Sequence, residues 1–233
     1  MKYALVFTLF GLVCAFYAVT SPPLLVRLLT ASFAIAFVGV GLAYAFIGPR
    51  AFLKKSNGQL HPLSYLLFWP YHLLNALTLF AFRRSAKENP FDQIADNVYL
   101  GCLLSRNDEA DIQRLGLASV LDLTCEFGET LTLRRLSYLC IPTLDTYPPS
   151  VKQLETGARW IQEEASKGPI YVHCALGHGR SATFVAAYLL LSGKANTPEA
   201  AIEHIQKLRP RIGLHPQQIA VLEAFSLRLN DKE

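Results

Sequence analysis

The sequence predicts an α/β domain with a central, mainly parallel sheet flanked by helices, preceded by an α-helical transmembrane hairpin. Three observations predict it. The first 87 of 233 residues contain no Asp or Glu and consist largely of long apolar runs. From about Phe91 onward, short β-branched and apolar segments alternate with segments of helical period, the pattern of a layered α/β fold. One of these alternations, residues 169–191, sets a glycine-containing loop between a compact strand-like run and a helix that is apolar nearly all round.

Composition agrees with this division. Charged residues make up 17% of the chain, against about 25% in ordinary soluble proteins, and the mean hydropathy is +0.26. Disordered, collagen-like and low-complexity classes are excluded. Five scattered cysteines are too few for a small disulfide-stapled scaffold. The net charge of +4 is unevenly spread: residues 1–87 carry eight basic residues, and residues 88–233 carry the other 14 together with all 18 acidic ones. A basic, acid-free, apolar arm (1–87) joined to a mildly acidic domain (88–233) reads as a membrane anchor carrying a soluble module. The basic residues stand singly or in pairs, without the stripe that tracks a nucleic acid, so no nucleic-acid partner is expected.

In the arm, uncharged runs lie between Lys2 and Arg27 and between Arg27 and Arg50. Each is long enough for a helix that crosses a bilayer core, which takes about 20 apolar residues. The expected helices cover about 3–20 and 28–48, with Ser21-Pro22-Pro23 as the turn. Gly39 and Gly41, with Ala34, Ala36 and Ala43, offer small residues for close helix packing. A cleaved signal peptide at 1–20 is the rival reading; the apolar run is long for one and the small-residue cleavage pattern is poor. A third apolar stretch, about 60–82, is interrupted by His61, Pro62, Pro70, His72 and Asn75. Basic residues flank it on both sides (Arg50, Lys54, Lys55; Arg83, Arg84, Lys87). Basic flanks mark the cytoplasmic side. The stretch is therefore read as an interfacial or re-entrant helix with both ends cytoplasmic, and a third span is the alternative.

In the soluble domain, Asp96–Gly101 reads as a strand with a turn, Asn107–Leu115 as a helix with an acidic start, and Ala118–Leu123 and Leu136–Ile141 as buried strands. Ser150–Ser166 has helical period. Pro169–His173 is a β-branched and aromatic run suited to a central strand, and Ala182–Leu191 is a buried helix. Thr197-Pro198 is a helix start with Thr197 as its cap, and 215–228 forms the last helix. About 145 residues suffice for one core.

The chemistry lies in His173-Cys174-Ala175-Leu176-Gly177-His178-Gly179-Arg180-Ser181. Five residues separate Cys174 from Arg180, enough for a loop to curl round a tetrahedral oxyanion. The glycines let backbone N–H groups point inward as an anion nest, and a helix starting at Arg180 adds its positive end. All of these favour a Cys174 thiolate. Arg180 offers a planar fork for two phosphate oxygens, and the Ser181 hydroxyl can donate to the sulfur. An isolated cysteine would read as an inert core residue; the whole string does not.

This string resembles the signature of cysteine-dependent protein tyrosine phosphatases, in their dual-specificity branch, over residues about 91–229. Asn97-Val98-Tyr99-Leu100-Gly101 is similar to that family's opening N-x-Y-L-G. Gly213-Leu214, Gln217/Gln218 and Glu223 are similar to its closing segment, with Leu in place of the aromatic. The resemblance implies a dual-specificity phosphatase-like fold. It implies Cys174 as nucleophile, Arg180 as phosphate ligand, and the loop residues Ala175, Leu176, Gly177, His178 and Gly179 as the phosphate cradle. It also implies a general acid some thirty residues upstream, for which Asp145, 29 residues before Cys174, is the candidate. Asp122, inside a strand, is its structural competitor. The reaction so implied passes through a phosphocysteine and requires no metal or other cofactor. His173 is read as a hydrogen-bonded support of the loop. His178 is read as touching substrate or facing solvent, and Glu126 and Glu129 as solvated loop carboxylates or cleft lining. Cys14, Cys102, Cys125 and Cys140 lack zinc spacing.

The expected substrate is a phosphorylated lipid held at the bilayer. The subgroup most resembled contains a mitochondrial phosphatidylglycerol-phosphate phosphatase, and the anchor raises the effective concentration of such a substrate. Phosphatases of highly charged inositol lipids tend to place Lys in this loop, and here it contains none, so a lipid with one terminal phosphomonoester is expected rather than a polyphosphoinositide. A membrane-tethered protein phosphatase for phosphotyrosine, phosphoserine or phosphothreonine is the alternative, and a phosphate-capturing module without activity is a third reading. The N-terminus lacks the Arg- and Ser-rich amphipathic character of an organelle transit peptide. A bacterial inner membrane, with the catalytic domain on the cytoplasmic side, is the expected location.

Overall fold

The computed structural model describes residues 2–21 and 23–230, so the expected turn at Pro22 lies outside the described residues. The chain divides into two units. One comprises Met1–Lys55, Gln59–Ala86 and Cys125–Gly128; the other comprises Ser56–Gly58, Lys87–Thr124 and Glu129–Glu233.

The first unit is built on three helices. α1 spans Lys2–Thr20, α2 spans Leu24–Leu42 and runs on through a π turn (Ala43–Ile47) and a 3-10 turn (Gly48–Phe52), and α3 spans Pro62–Ser85. α2 starts four residues earlier than the sequence suggested and takes in Arg27. The reason is local: Arg27 Nε donates to the Ala18 carbonyl, 3.2 Å away, so the charge covers an end carbonyl of α1 and needs no loop of its own. Glycines set how closely α1 and α2 pack. A Cβ at Gly41 would lie 2.1 Å from Thr8 Oγ1, and one at Gly11 would lie 2.7 Å from the Val38 backbone nitrogen. Only Gly lets the helices approach this closely. α3 opens on Pro62 with His61 Nδ1 accepting from Leu63 N–H. It kinks at Phe68 (φ −113°, ψ 20°), two residues before Pro70, which has no N–H for the helical ladder. Lys2–Thr20, Leu24–Phe52 and Pro62–Ser85 are all long and apolar enough to cross a membrane. Val19, Leu25 and Leu66 are at least 70% exposed, a surface that water would not tolerate on this scale.

The second unit is a five-stranded sheet with helices around it. Its strands are β1 (Phe91–Ala95), β2 (Val98–Gly101), β3 (Ser119–Thr124), β4 (Ser137–Thr143) and β5 (Ile170–His173), in the order β1-β2-β5-β3-β4. β1 is antiparallel to β2; the other pairings are parallel. The sequence reading, which began its first strand at Asp96, did not include β1. It turns into β2 at Asp96-Asn97, where Asn97 adopts φ 60°, a conformation Asn tolerates better than most residues. α4 (Glu109–Leu115), α5 (Leu131–Arg134), α6 (Val151–Ala165), α7 (Arg180–Leu191), α8 (Pro198–Leu208) and α9 (Pro216–Asn230) complete it. Ser150 and Gln153 form a capping box on α6, and Thr197 caps α8, as S/T-x-x-Q and T-P starts should. Every residue of α7 from Arg180 to Leu190 is buried, so this helix is the centre of the core. β5 lies between β2 and β3, with His173 level with Gly101 on one side and Asp122 on the other. The loop that follows β5 therefore emerges at the carboxyl edge of the sheet, where α/β folds place their sites.

Candidate active site

The segment between β5 and α7 folds as a tight loop around Cys174. Several of its carbonyls are held by donors from outside the loop. Ala175 O accepts from Leu103 N–H at 2.9 Å, and Gly179 O accepts from Thr183 N–H and Oγ1, both at 2.9 Å. In a trans peptide a carbonyl turned outward turns the next residue's N–H inward. One such amide lies directly on the sulfur: Gly177 N–H donates to Cys174 Sγ at 3.3 Å. Gly177 sits at φ +76°, and a Cβ there would lie 2.4 Å from the Gly101 carbonyl carbon. Both the turn and the close approach require glycine.

Cys174, Arg180 and Ser181 are all buried, and Ser181 Oγ lies 3.4 Å from the sulfur. Burial alone pushes the Cys174 thiol up. The Arg180 guanidinium and the bonds from Ser181 outweigh it, with Asp145 opposing, so the thiol titrates below its ordinary value. A group with a lowered pKa is charged above that pKa, so the thiolate persists to lower pH than an ordinary cysteine's would. Ser181→Ala is therefore expected to move the pH midpoint of Cys174 alkylation upward; an unmoved midpoint would show that the hydroxyl does not hold the sulfur's charge.

Arg180 joins the loop to the end of β4. Nη1 donates to Thr143 O at 3.0 Å, and Nε lies 3.3 Å from Asp145 Oδ1. Asp145 is 62% exposed, in the loop after β4. The structure thus brings the candidate acid, exposed to solvent, beside the guanidinium of Arg180. Its competitor Asp122 is wholly buried. Asp122 accepts from Thr124 N–H and Oγ1 and from the Tyr138 hydroxyl. Burial, and then Asp122's charge, push the Tyr138 phenol up, so it remains a donor.

Two expectations are corrected. Glu126 and Glu129 are not solvated; they are 5% and 6% exposed. Each carboxylate finds donors that compensate its burial. Glu126 Oε2 accepts from Cys125 N–H at 2.9 Å, and Glu129 Oε1 accepts from Thr130 N–H at 2.6 Å. Glu129 Oε2 also lies 2.8 Å from His173 Nε2, while His173 Nδ1 lies 3.2 Å from Cys174 O. His178 does not stand free in solvent: its Nε2 lies 2.9 Å from Glu88 Oε2. Among the described residues, Asp122, Glu129 and His173 bring one potential metal-ligand atom each within 4.8 Å of one another. Their oxygens already serve Thr124, Thr130 and Tyr138, and the chemistry above does not call on them.

Gln218, on α9, is buried. Its Oε1 accepts from His215 N–H at 2.9 Å and lies 3.2 Å from where a Gly179 Cβ would stand. The sequence named Gln218 by resemblance alone; its approach to the loop is a tertiary fact.

A family model described as dual specificity phosphatase, catalytic domain, matches residues 98–227. The chain is 36% identical over 169 residues to phosphatidylglycerophosphate phosphatase PTPMT2 of Arabidopsis thaliana, covering 69% of this chain and 72% of that protein. It is 33% identical over 199 residues to phosphatidylglycerophosphatase and protein-tyrosine phosphatase 1 of Homo sapiens, covering 82% and 90%. A crystal structure of PTPMT1 in complex with PI(5)P superposes with a TM-score of 0.56 and 28% identity, over 62% of this chain and 99% of that one.

Proposed function

This chain belongs to the dual specificity phosphatase family, and we propose that within it the protein is a membrane-anchored phosphomonoester phosphatase acting on a phospholipid such as phosphatidylglycerol phosphate. Residues 1–87 are the anchor and 88–233 the catalytic domain. The observation that carries the lipid reading is a thiol lowered by a guanidinium and a hydroxyl in a tight glycine loop, on the same chain as three helices long and apolar enough to cross a membrane. The names of the Arabidopsis and human relatives support it. The basic flanks of the arm support a catalytic domain on the cytoplasmic side, and a bacterial inner membrane is the location this reading takes, since the N-terminus lacks the Arg- and Ser-rich character of a transit peptide.

In this reading the Cys174 thiolate attacks phosphorus in line with the leaving oxygen. The P–S bond forms as the P–O bond breaks, and Asp145 gives its proton to the departing alkoxide. Arg180 and the inward amides of residues 175–180 hold the charge on the equatorial oxygens. Water then attacks the phosphocysteine, Asp145 takes its proton, and the sulfur leaves as a thiolate that the Ser181 hydroxyl stabilises.

Phosphate release by the full-length protein in mixed micelles tests this. A kcat/KM for phosphatidylglycerol phosphate well above that for a phosphotyrosine peptide is expected. A preference for the peptide would overturn the lipid reading and leave a tethered protein phosphatase. Release from neither, by folded protein, would overturn both.

A further inference from the structure

We propose that Arg209 and Glu88 form a positioning clamp that sets the shape of the phosphate loop from outside, and that its acidic half lies in the linker directly after the anchor. The proposal deepens the reading of Cys174 as nucleophile and rests on it.

Arg209, just beyond α8, is 1% exposed, yet none of its five N–H donors is wasted. Nε donates to Gly177 O at 2.9 Å and Nη2 to Leu176 O at 3.2 Å. Nη1 donates to Asn89 O at 3.1 Å and to Asp92 Oδ2 at 2.7 Å, while Nη2 also meets Glu88 Oε1 at 3.1 Å. Glu88 then reaches His178, whose Nε2 lies 3.1 and 2.9 Å from its two carboxylate oxygens. Three consecutive loop residues, Leu176 to His178, are thus held from one side by one guanidinium and one carboxylate.

The consequence follows from peptide geometry. Leu176 C=O and Gly177 N–H belong to the same planar peptide group and point opposite ways. Arg209 fixes the carbonyl, so it aims the amide that donates to Cys174 Sγ at 3.3 Å. Its hold on Gly177 O turns the His178 N–H inward in the same manner. A planar fork can bridge two adjacent carbonyls and two carboxylates at once; an ammonium cannot. Glu88 stands three residues after Ser85, where α3 ends, so the chain leaving the anchor supplies part of the loop's support.

The test uses the full-length protein in micelles, with Glu88→Gln, Glu88→Asp and Arg209→Lys. Alkylation of Cys174 by iodoacetamide is followed by mass spectrometry of its peptide across pH, beside inhibition by tungstate and turnover. Glu88→Gln should move the alkylation midpoint upward and weaken both tungstate affinity and kcat by about tenfold, the loss of one charge-assisted hydrogen bond. Glu88→Asp should recover part of this. Arg209→Lys should exceed Glu88→Gln; should it fail to fold, the Glu88 pair carries the test alone. A Glu88→Gln protein that melts lower but keeps the wild-type midpoint, tungstate affinity and kcat would overturn the clamp and leave a purely structural ion pair. Wild-type protein without turnover would instead overturn the phosphatase reading. The alkylation midpoint and tungstate affinity would still decide the clamp.

Discussion

Cys174→Ser is expected to lower phosphate release at least about a thousandfold, because the step it removes is the formation of the covalent intermediate. The loop lowers a thiol, whose ordinary pKa is about 8.5; the same fields acting on a serine hydroxyl leave it protonated. Nothing else in the site replaces the sulfur. Ser181 donates toward it, Arg180 is committed to Thr143 O and Asp145, and His173 packs behind the loop with its Nδ1 on Cys174 O. The oxygen is smaller than the sulfur and the position is buried, so folding should be unaffected and the circular-dichroism spectrum unchanged. The variant should still bind tungstate, since the inward amides and Arg180 remain and the repelling thiolate is gone. Turnover within tenfold of wild type would remove Cys174 from the reaction.

Gly177→Ala is expected to cost about a hundredfold in kcat/KM, the usual effect of displacing catalytic groups by about 1 Å. Two independent penalties act at this position. The backbone is at φ +76°, where an L side chain costs roughly 1–2 kcal/mol. The new Cβ would also stand 2.4 Å from Gly101 C and 2.8 Å from Cys102 N. Those are backbone atoms at the end of β2, a strand hydrogen-bonded to β5, so they cannot swing aside as a side chain would. The loop must move instead, and the Gly177 amide leaves the sulfur with it. Steady-state kinetics and the alkylation midpoint of Cys174 read the two consequences separately. Wild-type values for both would mean that the loop tolerates another conformation.

The clamp and the nucleophile differ in how far apart their parts lie along the chain. Cys174, Gly177, Arg180 and Ser181 lie within eight consecutive positions. Their mutual geometry is fixed by one strand, one tight loop and one helix start, and it was legible because each carries a local signal: a β-branched run, two glycines and an apolar helix. The same holds for the anchor, where the lack of acidic residues and the length of the apolar runs are properties of the chain alone. The third helix shows the limit of such signals. Its prolines and histidines argued for interruption, and the structure keeps one helix with a kink at Phe68.

Pairings across long separations were not legible. Glu129 and His173 read as a loop carboxylate and a loop support, and their meeting at 2.8 Å depends on β3 and β5 being neighbours. Arg209 read as an unremarked basic residue near a helix end. Its bonds to Asp92, 117 residues away, and to Gly177, 32 away, exist only because α8 packs on α7 and beside β1. His178 had no partner in its own segment; Glu88, 90 residues upstream, supplied one. By itself the sequence determined the apolar helical arm, the α/β class and the glycine loop that carries Cys174 between a strand and a buried helix, because periodicity, glycine placement and charge depletion act over a few residues. Only the tertiary structure decided which buried charges support that loop, because a buried ion is tolerated only where a partner stands, and the order of strands in the sheet chooses the partner.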